Sequence, residues 1–121
     1  MNTEDKGKIE NIIRLRKKAH SYFMKKSSVY NSFLDMENKT FTGGALSKKE
    51  KELIAVGISV VINCESCMEW HIKKAIDEGA SEKELIEAIE VGIEMSGGLG
   101  TVSARFAMTI IDYYRNQLQD S

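Results

Sequence analysis

The apolar positions of this chain fall into helical rows separated by short polar or glycine-bearing breaks. From about Thr3 to Lys26, the residues Ile9, Ile12, Ile13, Ala19, Tyr22 and Phe23 follow the spacing of one apolar helical stripe. A second, short helix is predicted from Val29 to about Glu37, with Gly43-Gly44 marking the loop after it. A third opens on Ser47 and Glu50, a capping-box pair in which each side chain satisfies a backbone N–H at the helix start. It runs on through Leu53, Ile54, Ala55, Val56, Ile58, Val60, Val61 and Ile62. A helix so apolar around its circumference is expected to be central and buried. The β-branched residues also suit a strand, but the cap and the length favour a helix.

Asn63 reads as the N-cap of a fourth helix that runs to Glu78 and stops at Gly79. Ser81 and Glu84 make a second capping box, opening a fifth helix with Leu85, Ile86, Ala88, Ile89 and Ile93. The stretch "SGGLG", Ser96 to Gly100, joins two helices and follows no strand, so it reads as a helix break with close backbone packing rather than a phosphate loop. The last helix is predicted from about Thr101 to Leu118, packing through Phe106, Ile110, Ile111 and Tyr114. The expected fold is all-α, a single domain of five or six helices without repeats or a low-complexity tail.

Composition narrows the function classes. The 121 residues are 42% hydrophobic and 29% charged, suited to one soluble domain with a real core. A net charge of -1 gives no global field toward nucleic acid or membrane. The basic run Arg14-Leu15-Arg16-Lys17-Lys18, with Lys25-Lys26 beyond it, reads as a solvated helix face. The uncharged run Leu53 to Cys64 is too short, and too interrupted by Gly57, Ser59 and Asn63, to span a bilayer. The polar start lacks a leader-like apolar stretch, so a cytoplasmic location is expected. Thiols there are kept reduced, and a close cysteine pair is then catalytic or metal-binding rather than a permanent staple.

Both cysteines and one of the two histidines stand in "INCESCMEWH", Ile62 to His71. At ~100° per residue, Cys64, Cys67 and His71 lie within ~60° of each other on a helix. That face continues through Met68, Ile72 and Ala75 and is expected to point inward, with Glu65, Glu69, Lys73, Lys74, Asp77 and Glu78 on the wet side. The positive end of the helix favours a thiolate, and His71 is placed to take or share a proton from Cys67. A pair so spaced can also close to a disulfide with little backbone movement, as a reversible dithiol centre requires. In the third helix Glu52, Val56, Ser59 and Asn63 form a weakly polar line, within ~40° of Glu52, leading to the cysteines. If the third and fourth helices are antiparallel about Asn63, Glu52 lies ~16 Å back from the turn and His71 ~12 Å forward, so a relay Glu52–His71–Cys67 can form. The chemical alternative is zinc on Cys64, Cys67 and His71 with Glu52 or water as fourth ligand, although no second ligand pair stands elsewhere. Trp70 reads as packing or pocket wall, and His20 carries no assigned role.

The pattern Glu52, eleven residues, Cys64-x-x-Cys67-x-x-x-His71 resembles the AhpD-like, carboxymuconolactone decarboxylase superfamily. Ala75, Gly79-Ala80, "SEKEL" and Gly97-Gly98 continue the likeness, which covers about Phe33 to Met108 and leaves residues 1–28 as an N-terminal helical extension. The resemblance implies an AhpD-like helical domain that assembles as a homo-oligomer, a hexamer built as a trimer of dimers or else a trimer. It further implies a peroxiredoxin-like, alkyl hydroperoxide reductase-type oxidoreductase of antioxidant defence, with no cofactor. Its partners would be a hydroperoxide or disulfide substrate and a thiol reductant of lipoyl or thioredoxin type. By position, Cys67 resembles the attacking cysteine, Cys64 the resolving one, and His71 and Glu52 the relay. Ser66 stands where some peroxidase members carry a histidine. The family also contains lactone decarboxylases that do not depend on the cysteine pair, so decarboxylation and a non-enzymatic zinc module are the alternatives.

Overall fold

Both capping boxes form as read: the Ser47 and Ser81 side chains accept the backbone N–H of Glu50 and Glu84, whose carboxylates accept in return. Those bonds hold the Glu50 and Glu84 carboxyls below the usual carboxylate range, the backbone N–H being the largest cause. The computed structural model describes residues 1–118. Its six helices are α1 (Thr3–Lys26), α2 (Ser28–Phe41), α3 (Lys48–Val61), α4 (Glu65–Asp77), α5 (Glu82–Ser96) and α6 (Gly98–Tyr113), followed by a 3-10 turn at Arg115–Gln117. There is no strand among the described residues, so the fold is all-α as expected.

Helix α2 is longer than its predicted Val29 to Glu37. Ser27 caps it by accepting the Tyr30 N–H, and Asn38, Lys39 and Thr40 contain no breaker, so it continues until Thr42 turns extended. Helix α6 starts before the predicted Thr101, because Gly97 at φ +67° makes the whole break in one residue. Gly79, at φ +89°, ends the turn after α4 as anticipated.

Helix α3 is the hub, packed by α4, α5 and α6. It meets α5 at a close crossing of Gly57 and Gly92. A Cβ on Gly92 would sit 2.6 Å from the Gly57 carbonyl oxygen, so the two backbones pack where side chains elsewhere would keep them apart. The core joins Val56 and Val60 of α3 to Met68, Ile72, Ala75 and Ile76 of α4, Leu85 and Ile89 of α5, and Ala107, Ile110 and Ile111 of α6. Ala80, between α4 and α5, Tyr114, just beyond α6, and Ile9 of α1 complete it.

Two burial expectations are corrected. Helix α3 is central but not buried all round: Ile54, Ile58, Val61 and Ile62 are exposed, because only one side of the hub is covered within a single chain. In α1 the predicted stripe enters the core only at Ile9, with Ile13 packed against it. Tyr22 and Phe23 stay largely exposed, and Phe23 meets Tyr30 of α2 rather than the core.

Candidate redox site

The turn between α3 and α4 decides where the cysteines stand. Asn63 is not the N-cap of α4. It adopts φ +52°, and its N–H bonds the Val60 carbonyl while that of Cys64 bonds the Ser59 carbonyl. This is a Schellman closure of α3, in which Asn is the residue type that best replaces glycine. Asn63 therefore ends one helix, and Cys64 is left in extended backbone as the N-cap of the next. Its Sγ accepts the Cys67 N–H at 3.2 Å, the bond a serine hydroxyl would make at this position. From α6, Ser103 Oγ donates to Asn63 Oδ1 at 3.0 Å and anchors the turn.

Cys64 and Cys67 are joined as a disulfide and are partly exposed. One turn further on, His71 Nδ1 lies 2.8 Å from Glu52 Oε1. Glu52 is buried on α3, and among the described residues His71 is the hydrogen-bond partner of its carboxylate. An ionised carboxylate only accepts, so Nδ1 carries the proton in this bond and Nε2 is left free. Three of the four residues of the weakly polar line, Glu52, Val56 and Ser59, face the interior, and Ser59 satisfies its hydroxyl on the Val56 carbonyl, whereas Asn63 is exposed beyond the end of α3. The Phe41 ring, at the end of α2, stacks on His71 with centroids 5.2 Å apart. Neither Phe41 nor Ser103 was legible as a site residue, since each arrives from a helix with no sequence link to the cysteines.

Glu69 is the clearest error of the periodicity reading, which put it on the wet side. It is fully buried. Its Oε1 lies 2.5 Å from Arg16 Nη2 of α1, as a charge contact rather than an aligned hydrogen bond, and Tyr114 Oη donates to its Oε2. A carboxylate can be buried where a guanidinium and a phenol meet it, and both partners come from other helices. The Tyr114 phenol is in turn pushed far above its ordinary value, first by burial and then by the Glu69 carboxylate. The Arg16 guanidinium and the Lys74 ammonium lie over the Trp70 ring, 4.9 Å and 4.4 Å from its centroid. Trp70 is thus a packing platform. His20 Nδ1 pairs with Tyr30 Oη at 2.8 Å.

The family model of the carboxymuconolactone decarboxylase family matches residues 28–109, from the start of α2 almost to the end of α6. The chain belongs to the carboxymuconolactone decarboxylase family. Among curated proteins, it is 38% identical over 86 residues to "Uncharacterized protein 4 in cox locus" of Paracoccus denitrificans, covering 71% of this chain and 78% of that one. It is 36% identical over 69 residues to an uncharacterised protein of Cupriavidus necator, covering 57% and 61%. Two solved structures of this family share the fold. One, from Legionella pneumophila in its apo form, superposes with a TM-score of 0.77 at 23% identity, covering 93% of this chain and 98% of its own. The other, from Thermotoga maritima, gives 0.80 at 23% identity over 88% and 91%, and a part in an antioxidative response has been suggested for it.

In this carboxymuconolactone decarboxylase family member, α1 lies outside the matched residues, yet it is tied to α4 at Glu65, between the two cysteines, and at Glu69, just after them. Lys8 Nζ reaches Glu65 Oε2 at 3.1 Å, and Arg16 reaches Glu69. Among the described residues, no helix is long and apolar enough to cross a membrane, and no group of three or more His, Cys, Asp or Glu stands where it would hold a metal ion.

Proposed function

We propose that this protein is a thiol-dependent oxidoreductase of peroxidase or disulfide-reductase type, cycling Cys64 and Cys67 between dithiol and disulfide. The observation that carries this reading is the Cys64–Cys67 disulfide at the start of α4, one turn before a histidine bonded to a buried carboxylate. The suggested antioxidative part of the Thermotoga maritima neighbour is consistent with it.

In the reduced protein, His71 accepts the Cys67 proton through Nε2, and Glu52, bonded at Nδ1, holds the ring in place. The Cys67 thiolate attacks the terminal oxygen of a hydroperoxide. The O–O bond breaks, the alkoxide leaves and takes a proton, and Cys67 becomes a sulfenic acid. The Cys64 thiol then attacks that sulfur and expels water, forming the disulfide. The peroxide gains two electrons and the dithiol loses two; a thiol reductant restores them by exchange. With a disulfide substrate, Cys67 attacks sulfur instead, and Cys64 resolves the mixed disulfide.

Cys67→Ser should abolish hydroperoxide turnover, whereas Cys64→Ser should trap a sulfenic acid or mixed disulfide visible by mass spectrometry. Glu52→Gln and His71→Gln should each slow alkylation of the reduced protein by about tenfold or more at neutral pH, with far-UV circular dichroism unchanged. Full peroxide turnover by the Cys64→Ser/Cys67→Ser protein would sink the redox reading. Decarboxylation of a lactone acid that survives in that double variant would replace it with the chemistry for which the family is named.

We further propose that the protein is a homo-oligomer, a hexamer or a trimer. The exposed row Ile54, Ile58 and Val61 of α3, with Val91 and Met95 of α5, supports this as a face for another copy of the chain.

A further inference from the structure

Helix α2 ends on the candidate site. Its last turn, Asn38 to Phe41, lies beyond the predicted stop at Glu37 and delivers the Phe41 ring to His71. Two bonds close that turn. Thr42 Oγ1 donates to the Asn38 carbonyl at 2.7 Å, satisfying an end carbonyl that the helix itself leaves free. From the first turn of α3, Lys51 Nζ donates to the Thr42 carbonyl at 2.7 Å. Lys51 is the residue before Glu52, so one stretch of α3 secures both groups that touch His71.

Phe41 is half-buried, yet among the described residues it belongs neither to the hydrophobic core nor to the apolar side chains packed against it. Its aromatic contact is with His71, at 5.2 Å between centroids and an interplanar angle of 27°. That is a stacked geometry within the favourable range for ring pairs. The two contacts on His71 restrain different motions. The Nδ1–H bond to Glu52 fixes where Nδ1 stands. A histidine has a broad second side-chain torsion, so the ring can still roll about that bond and carry Nε2 sideways. A flat ring against one face opposes the roll. It also covers a face that water would otherwise reach, and the His71 side chain is 17% exposed.

We propose that Phe41 is a positioning residue of the dithiol chemistry, holding the plane of the His71 ring and so the direction of Nε2 for proton exchange with Cys67. The inference rests on the dithiol reading above and deepens it. It gives the histidine a second restraint from a different helix.

The histidine itself supplies a readout independent of thiol reactivity. In the disulfide form, the Nδ1 proton should appear as a downfield imidazole resonance by NMR, assigned by its loss in His71→Gln and so separated from His20. Phe41→Leu keeps apolar bulk but removes the ring face, and should speed exchange of this proton with water about tenfold. Phe41→Tyr keeps the face and should stay within about twofold of wild type. Phe41→Met serves in place of the leucine variant if that one disturbs the end of α2, with unchanged α3 and α4 amide resonances as the check on folding. An exchange rate unmoved by Phe41→Leu and Phe41→Met would overturn the proposal. So would equal loss in Phe41→Tyr, or a wild-type proton exchanging too fast to observe.

Alkylation of Cys67 by iodoacetamide in the reduced protein then tests the link to the thiol. Phe41→Leu should slow it about tenfold at neutral pH, Phe41→Tyr should restore it, and Phe41→Leu should add nothing to His71→Gln, because it acts through the histidine. Slowing by His71→Gln but not by Phe41→Leu overturns the proposal and leaves the dithiol reading intact. An imidazole proton that responds to Phe41, with alkylation indifferent to both His71→Gln and Phe41→Leu, leaves the hold on the ring standing and removes the relay of the dithiol reading instead.

Discussion

Asn63 shows how one residue can be read correctly in kind and wrongly in place. Asparagine suits both an N-cap and a left-handed C-cap, and only the path of the chain selects between them. At φ +52° it closes α3, and Cys64 inherits the N-cap. Asn63→Ala should therefore cost about 1–2 kcal/mol, from the left-handed backbone of a residue with a Cβ and the lost bond to Ser103. Asn63→Gly should recover most of the backbone part, and urea denaturation of the two variants separates the contributions. An N-cap role for Asn63 would instead be kept by Asn63→Ser, which a left-handed C-cap does not favour. Glu52 and His71 were legible because one polar line crosses an apolar helix and ends at the cysteines. Phe41, Ser103, Arg16 and Tyr114 were not, because each reaches the site from an element distant in sequence.

Helix crossings carry the next level of information. The Gly57–Gly92 contact sets the approach of α3 to α5, and no flexible side chain stands between them to yield. Gly92→Ala should destabilise the protein by about 1–3 kcal/mol despite its better helix propensity, because a methyl cannot fit 2.6 Å from a carbonyl oxygen. A raised Tm for this variant would show that the crossing can relax. The junction of α1, α4 and the end of α6 is chemical instead, built on Arg16, Glu69 and Tyr114. Burial and Glu69 raise the folded pKa of Tyr114 above its ordinary value near 10. Its contribution to stability is therefore complete below about pH 10 and is lost as pH rises toward the folded value. Tyr114→Phe should lower stability by about 1–2 kcal/mol at pH 7 and flatten the decline between about pH 10 and 12. The remaining slope would include Tyr113, whose phenol is also raised, first by its own burial and then by the Glu10 charge. Denaturation midpoints across that range, with tyrosinate absorbance, provide the check.

For the whole molecule, the apolar residues left outside are as informative as those within. Ile58, Val91 and Met95 are 54%, 63% and 71% exposed around the α3–α5 groove, a contiguous set of large apolar side chains. If this face joins copies of the chain, Ile58→Asp with Val91→Glu should reduce the mass seen by light scattering from an oligomer to 13.6 kDa. Wild-type protein already at that mass would exclude the assembly.

By itself the sequence determined the all-α class, both capping boxes, the glycine stops, and the meeting of Glu52 with His71. These features are written in short-range spacing, and helical geometry converts spacing directly into direction. Only the tertiary structure decided that Asn63 closes α3, that α3 keeps one apolar side exposed, and that Glu69 is buried. It alone brought α1 to the disulfide turn and the Phe41 ring to His71. Those outcomes depend on which partner arrives from a distant segment. An interior carboxylate and a surface one have the same local pattern until a guanidinium and a phenol are found to meet the first.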